Sequence, residues 1–266
     1  MKLNTEPLNL EYKNKKLFLN DIEIKPNVRT LKEMKKVLLD EKFVNENNEN
    51  EITYLMFRDL KREEDRKLFE EKSLRYDVTI IFPKMLGREF NKTFGHIHPI
   101  AENNLSYPEV YEVLKGKALF ILQEFENERV KKVFLVFGKK GEKILIPPNF
   151  GHVSINIGKK DLILSNLVSN KFHSNYEIYE KKRGAAVYVL SNEQIYPYDN
   201  ILSSLVLPIK IPIKIIKNPN YSETFEVEVI RPKKLFKFPK ENLYKSFIEN
   251  PDFYNFLNKP SLIWQK

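Results

Sequence analysis

The stretches that decide the fold are Thr93-Phe94-Gly95-His96-Ile97-His98, Glu109-Val110-Tyr111 and Pro147-Pro148-Asn149-Phe150-Gly151-His152. They hold three of the chain's four histidines. Alternate side chains of a strand share a face, so a strand here would place His96 beside His98. Neutral imidazoles together with a carboxylate suit a divalent first-row metal. We therefore predict that His96, His98, Glu109 and His152 bind one metal ion and leave positions open for a substrate.

The spacing of these residues resembles the two-part signature of the cupin superfamily. Six residues separate Glu109 from Gly116, and the second part runs from Gly141 through Pro147 to Gly151-His152 and Asn156. A His-x-His pair alone is better explained as a chance pair on a polar strand, so the prediction depends on the whole set.

Two departures from that signature stand out. Ten residues separate His98 from Glu109, and Asn149 occupies a position where cupins usually have Gly. Asn tolerates a left-handed backbone better than most residues, so the second departure is mild. The longer loop at 99–108 is predicted to cap or reshape the mouth of the site.

Within the cupins, the chain resembles the archaeal-type glucose-6-phosphate isomerases over roughly residues 50–190. The matching segments are Thr-x-Gly-His-x-His at 93–98, Glu-Val-Tyr at 109–111, Leu-Lys-Gly-Lys at 114–117, Pro-Pro-x-x-Gly-His-x-x-x-Asn at 147–156, and the outer pieces 75–79 and 173–176. The resemblance implies a metal-dependent aldose–ketose isomerase that interconverts glucose 6-phosphate and fructose 6-phosphate through an enediol(ate), as in glycolysis and gluconeogenesis. It also implies a homodimer.

The resemblance assigns roles to single residues. Glu109 is implied as the catalytic base, and His173 and Tyr176 as groups that orient the sugar or assist ring opening. Phosphate contacts are implied for Thr79, Thr93, Gly95 and Tyr111. Without the resemblance, the two threonines are ordinary strand residues and His173 is an ordinary surface histidine. Leu167 stands where the family has Tyr, which predicts one polar contact fewer to the substrate.

Two other classes of function fit the same residues. One is a metal cupin of another class, either a dioxygenase or an isomerase of a different sugar phosphate, because three His and a Glu also suit non-haem oxygen chemistry. The other is a cupin that binds a sugar phosphate without turning it over. Ligand type leaves iron, nickel, zinc and manganese open, with iron the metal that we expect.

The composition and charge of the chain restrict the binding partners and the cellular location that we expect for the protein. The net charge is +9 with dispersed Lys, and no aromatic-interleaved basic motif for nucleic acid is present. No apolar run approaches the ~18 residues of a membrane span, and residues 1–10 lack the apolar region of a signal peptide. The absence of Cys excludes disulfides and thiol chemistry. We expect a cytoplasmic protein whose partner is a small sugar phosphate, with no nucleic acid and no membrane.

The remaining pattern predicts an all-β core, a double-stranded β-helix or jelly-roll cupin barrel with a flanking N-terminal helix and a C-terminal extension. Strands are predicted at 52–60, 76–82, 90–98, 109–123, 130–137, 143–157, 162–168, 184–190, 205–216 and 225–229, and helices from Thr30, at 61–72, 242–249 and 252–257. Residues 1–70 are expected to pack on a barrel of residues 71–191. The role of residues 192–266 is left open.

Overall fold

The computed structural model describes residues 1–191 and 213–265, and β-strands dominate this part of the chain. In chain order the strands are β1 (Leu10–Lys13), β2 (Lys16–Leu19), β3 (Ile22–Ile24), β4 (Asn27–Thr30), β5 (Ile52–Phe57), β6 (Leu74–Ile81), β7 (Met85–Leu86), β8 (Glu89–Phe90), β9 (Ile100–Glu102), β10 (Leu105–Ser106), β11 (Glu109–Lys115), β12 (Lys117–Glu126), β13 (Arg129–Lys139), β14 (Lys143–Ile146), β15 (Phe150–Asn156), β16 (Leu162–Ser169), β17 (Val187–Ser191), β18 (Ile213–Lys217) and β19 (Glu226–Ile230).

Helices are few and short among the described residues. The α-helices are α1 (Leu31–Met34), α2 (Arg66–Lys72), α3 (Glu177–Lys181), α4 (Pro232–Leu235) and α5 (Leu243–Glu249). Turns of 3-10 helix cover Lys35–Val37, Glu41–Phe43, Glu63–Asp65, Pro251–Leu257 and Pro260–Gln265. None of these helices has the length and apolar character needed to cross a membrane.

Two main sheets build the barrel. One has the strand order β14-β11-β16-β6-β5-β4, and the other has the order β15-β12-β13-β19. The chain passes from the first sheet to the second twice, between β11 and β12 and again between β14 and β15. A third sheet, β18-β17-β8-β7, adds to this arrangement. The predicted all-β cupin barrel is confirmed.

Strand alternation gives the six-stranded sheet two apolar faces. On β11, Tyr111 and Val113 belong to the core inside the barrel. Val110 and Leu114 belong to a second core on the outer face. Because both faces of the sheet are covered, β11 and β16 are buried along nearly their whole length, including their polar residues.

The C-terminal residues cover that outer face, which gives the extension a structural role. Leu243, Phe247 and Phe256 are fully buried in the outer core. A buried hydrogen bond also fixes the position of the extension, because the Tyr244 hydroxyl donates to Asp65 Oδ2 over 2.5 Å. Burial of these side chains removes apolar surface from water, and each Å² that is buried stabilises the fold by ~25 cal/mol. Removing the extension would therefore expose an apolar sheet face.

Several predicted elements differ in extent. The capping box of Thr30 and Glu33 is present, but the helix it opens has only one α turn before the 3-10 turn that follows. The predicted strand at 143–157 is two strands in different sheets, β14 and β15, because Asn149 turns left-handed (φ 66). Of the predicted strand at 205–216, residues 213–216 lie in β18, and 205–212 lie outside the described residues.

One buried carboxyl makes the stability of this arrangement depend on pH. Glu112 on the outer face of β11 is 2% exposed and accepts a hydrogen bond from the Leu243 amide over 2.6 Å. Burial raises its pKa to about 7, against the opposing effects of that hydrogen bond and of Lys143. Because the pKa of Glu112 is higher in the folded state than in the unfolded state, its protonated form stabilises the protein. This stabilisation is fully present below the unfolded-state pKa and is lost as the pH rises through about 7.

We expect Glu112→Gln to remove this pH dependence while keeping an acceptor for Leu243. Between pH 5 and pH 8, the free energy of unfolding of the unsubstituted protein should fall by up to about 3 kcal/mol more than that of the variant. Urea unfolding at both pH values measures the difference. Glu46→Gln, at an exposed position, is the control. A constant difference between Glu112→Gln and the unsubstituted protein at both pH values would contradict the assignment.

Candidate metal centre

The four predicted ligands meet at one point inside the barrel. One donor atom from each of His96, His98, Glu109 and His152 lies within 4.8 Å of the others. His96 and His152 are opposite each other in an antiparallel bridge, with backbone hydrogen bonds of 3.3 and 3.0 Å. Residues 93–98 form such isolated bridges rather than the predicted regular strand. The predicted strand through His96 and His98 is therefore wrong, although the two side chains do converge.

The distances within the cluster fit a bound cation. His96 Nε2 and His98 Nε2 are 3.1 Å apart, and Glu109 Oε2 lies 3.2 Å from His152 Nε2 and 3.5 Å from His98 Nε2. Imidazole nitrogens bind a metal such as zinc at ~2.0–2.1 Å, so neighbouring ligands of one ion are roughly 3 Å apart. Glu109 Oε2 is buried without a hydrogen-bond partner among the described residues. The residues present fit a divalent metal ion.

Neighbouring groups orient two of these ligands. His98 Nδ1 lies 2.8 Å from the Tyr107 carbonyl oxygen. An N–H at Nδ1 donating to that carbonyl leaves the Nε2 lone pair directed at the cluster, as in many metal sites. The Asn166 amide donates to Glu109 Oε1 over 2.6 Å. This bond holds one carboxylate oxygen and leaves Oε2 for the metal.

Electrostatics keep the cluster in its metal-binding protonation state. Burial lowers the pKa of His96 well below its usual value and that of His98 to about 4. Burial by itself raises the pKa of Glu109, but the hydrogen-bonding contact with His152, with smaller contributions from His98 and Arg75, holds it below its usual value. At neutral pH the two imidazoles are therefore neutral and the carboxylate is ionised, which metal binding requires.

The glycines of the two histidine motifs allow a tyrosine to pack directly beneath the metal ligands. Gly95 has φ +88, and a Cβ on it would lie 2.6 Å from Tyr179 Cε1 and 2.8 Å from Val153 Cγ2. A Cβ on Gly151 would lie 2.6 Å from the Tyr179 hydroxyl. Tyr179 is fully buried. Glycine is therefore required beside both His96 and His152 because the ring of Tyr179 occupies the space of a side chain.

The two departures from the cupin signature are connected in space. The 99–108 loop contains the small hairpin of β9 and β10. Asn149 binds this loop through two hydrogen bonds to Ser106. The backbone N–H of Asn149 donates to Ser106 Oγ over 2.7 Å, and the side-chain oxygen of Asn149 accepts from the backbone N–H of Ser106 over 2.9 Å. At the far end, Ser261 Oγ donates to Glu102 Oε1 over 2.6 Å. The C-terminal extension therefore braces the loop from outside.

A narrow cavity of about 40 Å³, open to solvent, lies beside the candidate ligands. All four residues with implied phosphate contacts line it: Thr79, Thr93, Gly95 and Tyr111. Tyr111 Oη is 3.3 Å from His152 Nε2, so this residue lies at the metal cluster. Tyr176 also lines the cavity, with its ring centroid 5.5 Å from that of His96.

Two residues singled out in the sequence lie away from the cavity. His173 is exposed and is not among the residues that line it, whereas the neighbouring Ser174 is. Its catalytic role stays a prediction. Leu167 is fully buried in the outer core, on the face of β16 opposite the site. Its side chain therefore takes no place in the cavity, which Val168 lines instead.

Sequence reasoning missed two cationic residues in the cavity wall. Arg58 and Arg75 line the cavity, and both bind Asp77 Oδ2, over 2.7 and 2.9 Å. Alternation along β6 was the available signal, since it places Arg75, Asp77 and Thr79 on one face. A charged pair on a face otherwise facing the barrel interior indicates a site rather than a surface.

Comparison with known proteins gives this geometry a family. A family model described as "Glucose-6-phosphate isomerase (GPI)" matches residues 28–201. The Glucose-6-phosphate isomerase of Thermococcus litoralis is 29% identical over 180 residues, which cover 66% of this chain and 86% of that protein. That of Pyrococcus furiosus is 27% identical over 178 residues, covering 66% and 87%.

A solved structure of oxalate oxidase with a substrate analogue, glycolate, overlaps 43% of this chain and 50% of its own, at 17% identity and a TM-score of 0.33. The fold assignment therefore rests on the strand order of this chain. The family match ends at residue 201 and leaves out most of the C-terminal extension, but it spans more than half of the chain and includes all four candidate metal ligands. The chain belongs to the glucose-6-phosphate isomerase (GPI) family.

Proposed function

We propose that the protein is a metal-dependent isomerase that interconverts glucose 6-phosphate and fructose 6-phosphate. The observation that carries the proposal is the convergence of His96, His98, Glu109 and His152 within 4.8 Å at a solvent-open cavity. Membership of the family supports this choice of substrate. So do the relatives named glucose-6-phosphate isomerase, most of whose length this chain matches.

The reaction moves a hydrogen between C1 and C2 of the open-chain sugar. A bound divalent metal supplies charge that polarises the substrate oxygens and stabilises an enediolate. The residues of the chain hold and orient the sugar. Tyr176 lies in the cavity wall beside His96, and the hydroxyls of Thr79 and Thr93 in the same wall are donors suited to phosphate oxygens.

In this proposal Glu109 would serve both as a metal ligand and as the catalytic base. Its Oε1 accepts from Asn166, and its Oε2 faces the imidazoles. A carboxylate bound to a cation is a weaker base than a free one, so if Glu109 held the metal, proton transfer through it would require substrate binding to free the carboxylate. A hydride shift between the two carbons needs no such base. Deuterium at C2 of the substrate tests the hydride shift, because exchange with solvent excludes a pure hydride shift, whereas full retention fits both routes.

The function is tested on metal-free protein that is reloaded separately with iron, nickel, manganese or zinc. Fructose 6-phosphate is the substrate, and a coupled reaction detects glucose 6-phosphate. We expect turnover that depends on the metal and is lost in both His96→Ala and Glu109→Ala. No turnover from folded, metal-loaded protein would contradict the proposal. Tight binding of the sugar phosphate without turnover would instead indicate a binding protein.

We propose iron as the native metal and a homodimer as the native assembly. Three imidazoles and one carboxylate also suit nickel, zinc and manganese, so metal analysis of protein purified without added metal is the direct test of the first point. Sedimentation of the purified protein tests the second. A requirement for oxygen during turnover would point to a cupin oxygenase and would overturn the isomerase.

A further inference from the structure

The hairpin of β9 and β10 beside the metal centre has little support of its own. Its two strands pair with each other and with no other strand among the described residues. A register shift interrupts the pairing between Leu105 and Ser106, and Ile100 at the start of β9 is 58% exposed. An isolated two-stranded hairpin is at best marginally stable in water. The position of this hairpin therefore depends on contacts with the rest of the chain.

Two separate segments supply those contacts. Asn149 of the barrel binds Ser106 through two hydrogen bonds. Ser261 of the C-terminal extension binds Glu102 at the end of β9, because its hydroxyl and its backbone N–H both donate to Glu102 Oε1, over 2.6 and 3.1 Å. Ser261 is itself held in place, since Ile263 two residues later is 2% exposed in the outer core. The extension therefore gives the hairpin a second anchor, which the barrel does not provide.

The loop that contains the hairpin also contacts a metal ligand directly. The backbone N–H of Tyr107 donates to the Pro99 carbonyl oxygen over 3.1 Å, which closes the loop next to His98. The Tyr107 carbonyl oxygen lies 2.8 Å from His98 Nδ1. The ring of Phe172 stacks on Tyr107 at 4.7 Å between centroids and lies 4.5 Å from the ring of His98. The orientation of His98 therefore depends on where the loop places Tyr107.

We propose that the C-terminal extension positions the metal ligand His98 through this hairpin, with Ser261 and Glu102 as positioning residues. A metal ligand binds most tightly when its supporting groups hold it in the productive geometry before the metal arrives. When the hairpin is released, Tyr107 moves with it, and His98 loses the acceptor that orients its ring. Ser261 lies beyond residue 201, where the match to the family model ends. The proposal rests on the metal dependence of the proposed function but not on the identity of the sugar.

The test measures metal binding by the full-length protein and needs no turnover. Metal-free protein is loaded with Co²⁺, whose visible absorption reports the geometry of its ligands, and competition with a chelator gives the affinity. Glu102→Ala removes the acceptor of both hydrogen bonds from Ser261. We expect it to weaken binding about 3- to 10-fold and to change the Co²⁺ spectrum, a smaller effect than the ~10–100-fold typical of a direct partner of a ligand.

Two control variants separate positioning from general stability. Glu102→Gln keeps an oxygen that accepts from Ser261, so it should restore the affinity and the spectrum of the unsubstituted protein. Ser246→Ala removes the 2.7 Å hydrogen bond between the hydroxyls of Ser246 and Tyr254, which lies within the extension and does not involve the hairpin. It should lower the free energy of unfolding in urea without changing Co²⁺ affinity or the Co²⁺ spectrum.

Three results would overturn the positioning role. The first is an unchanged affinity and spectrum in Glu102→Ala. The second is an equal loss of affinity in Glu102→Ala and Ser246→Ala, because the extension would then act through stability alone. The third is a folded, unsubstituted protein that binds no metal, which would also overturn the metal dependence of the proposed function. Metal binding that responds to Glu102→Ala without any isomerase turnover would overturn the isomerase and leave the positioning role standing.

Discussion

Replacing His152 by Ala should nearly abolish metal binding while leaving the barrel folded. His152 contributes one of four donors that lie within 4.8 Å of one another, and it is paired with His96 through the backbone rather than the side chain. Loss of a hydrogen-bond partner of a ligand typically costs ~10–100-fold in metal affinity, so loss of the ligand itself should cost more. Competition with a chelator measures the affinity, and circular dichroism checks the fold.

Two further variants grade this result. Asn166→Ala removes the hydrogen bond to Glu109 Oε1 but no ligand, so we expect a smaller loss, within about 10–100-fold. His173→Ala changes an exposed histidine outside the cluster and should bind metal as the unsubstituted protein does. Full metal binding by His152→Ala, or a loss in His173→Ala of the same size, would contradict the assigned ligand set.

Replacing Gly95 by Ala should destabilise the protein and distort the metal site together. An L-residue at φ +88 pays about 1–2 kcal/mol for the left-handed backbone. The new Cβ would also lie 2.6 Å from Tyr179 Cε1, and such overpacking typically costs about 1–3 kcal/mol. We expect a loss of about 2–5 kcal/mol in the free energy of unfolding. Because His96 is the next residue, metal affinity should fall as well.

Gly141 provides the matched control for this prediction. Its φ is +84, nearly that of Gly95, but a Cβ there would have nothing within 4 Å. Gly141→Ala should therefore pay the backbone cost of about 1–2 kcal/mol alone and keep the metal affinity. Urea unfolding of both variants separates backbone strain from the contact with Tyr179. Equal destabilisation of the two would show that the packing of Tyr179 against Gly95 contributes little.

The convergence of the four candidate metal ligands was predictable because the chemistry of a metal site restricts residue type and spacing. Four His and Glu side chains in a basic chain with few histidines form a recognisable pattern, and barrel strands alternate in a way that a sequence displays. The left-handed backbone at Asn149 could also be predicted from the local sequence, because few residue types other than Gly and Asn adopt a positive φ. The resemblance added residues such as Thr79 and Tyr176, which do line the cavity.

The parts that could not be predicted depend on which segments meet across long separations in sequence. Arg58 and Arg75 share Asp77 only because β5 and β6 are neighbours in the sheet. Leu167 faces away from the cavity because of its register on β16, and a one-residue shift in register exchanges the two faces of a strand.

The four side chains that converge in the candidate metal centre could therefore be identified from the amino-acid sequence alone. The charge that surrounds them, the tyrosine beneath them and the extension that braces the loop above them came from packing. Packing pairs residues by position in space, and neither composition nor local periodicity records that position.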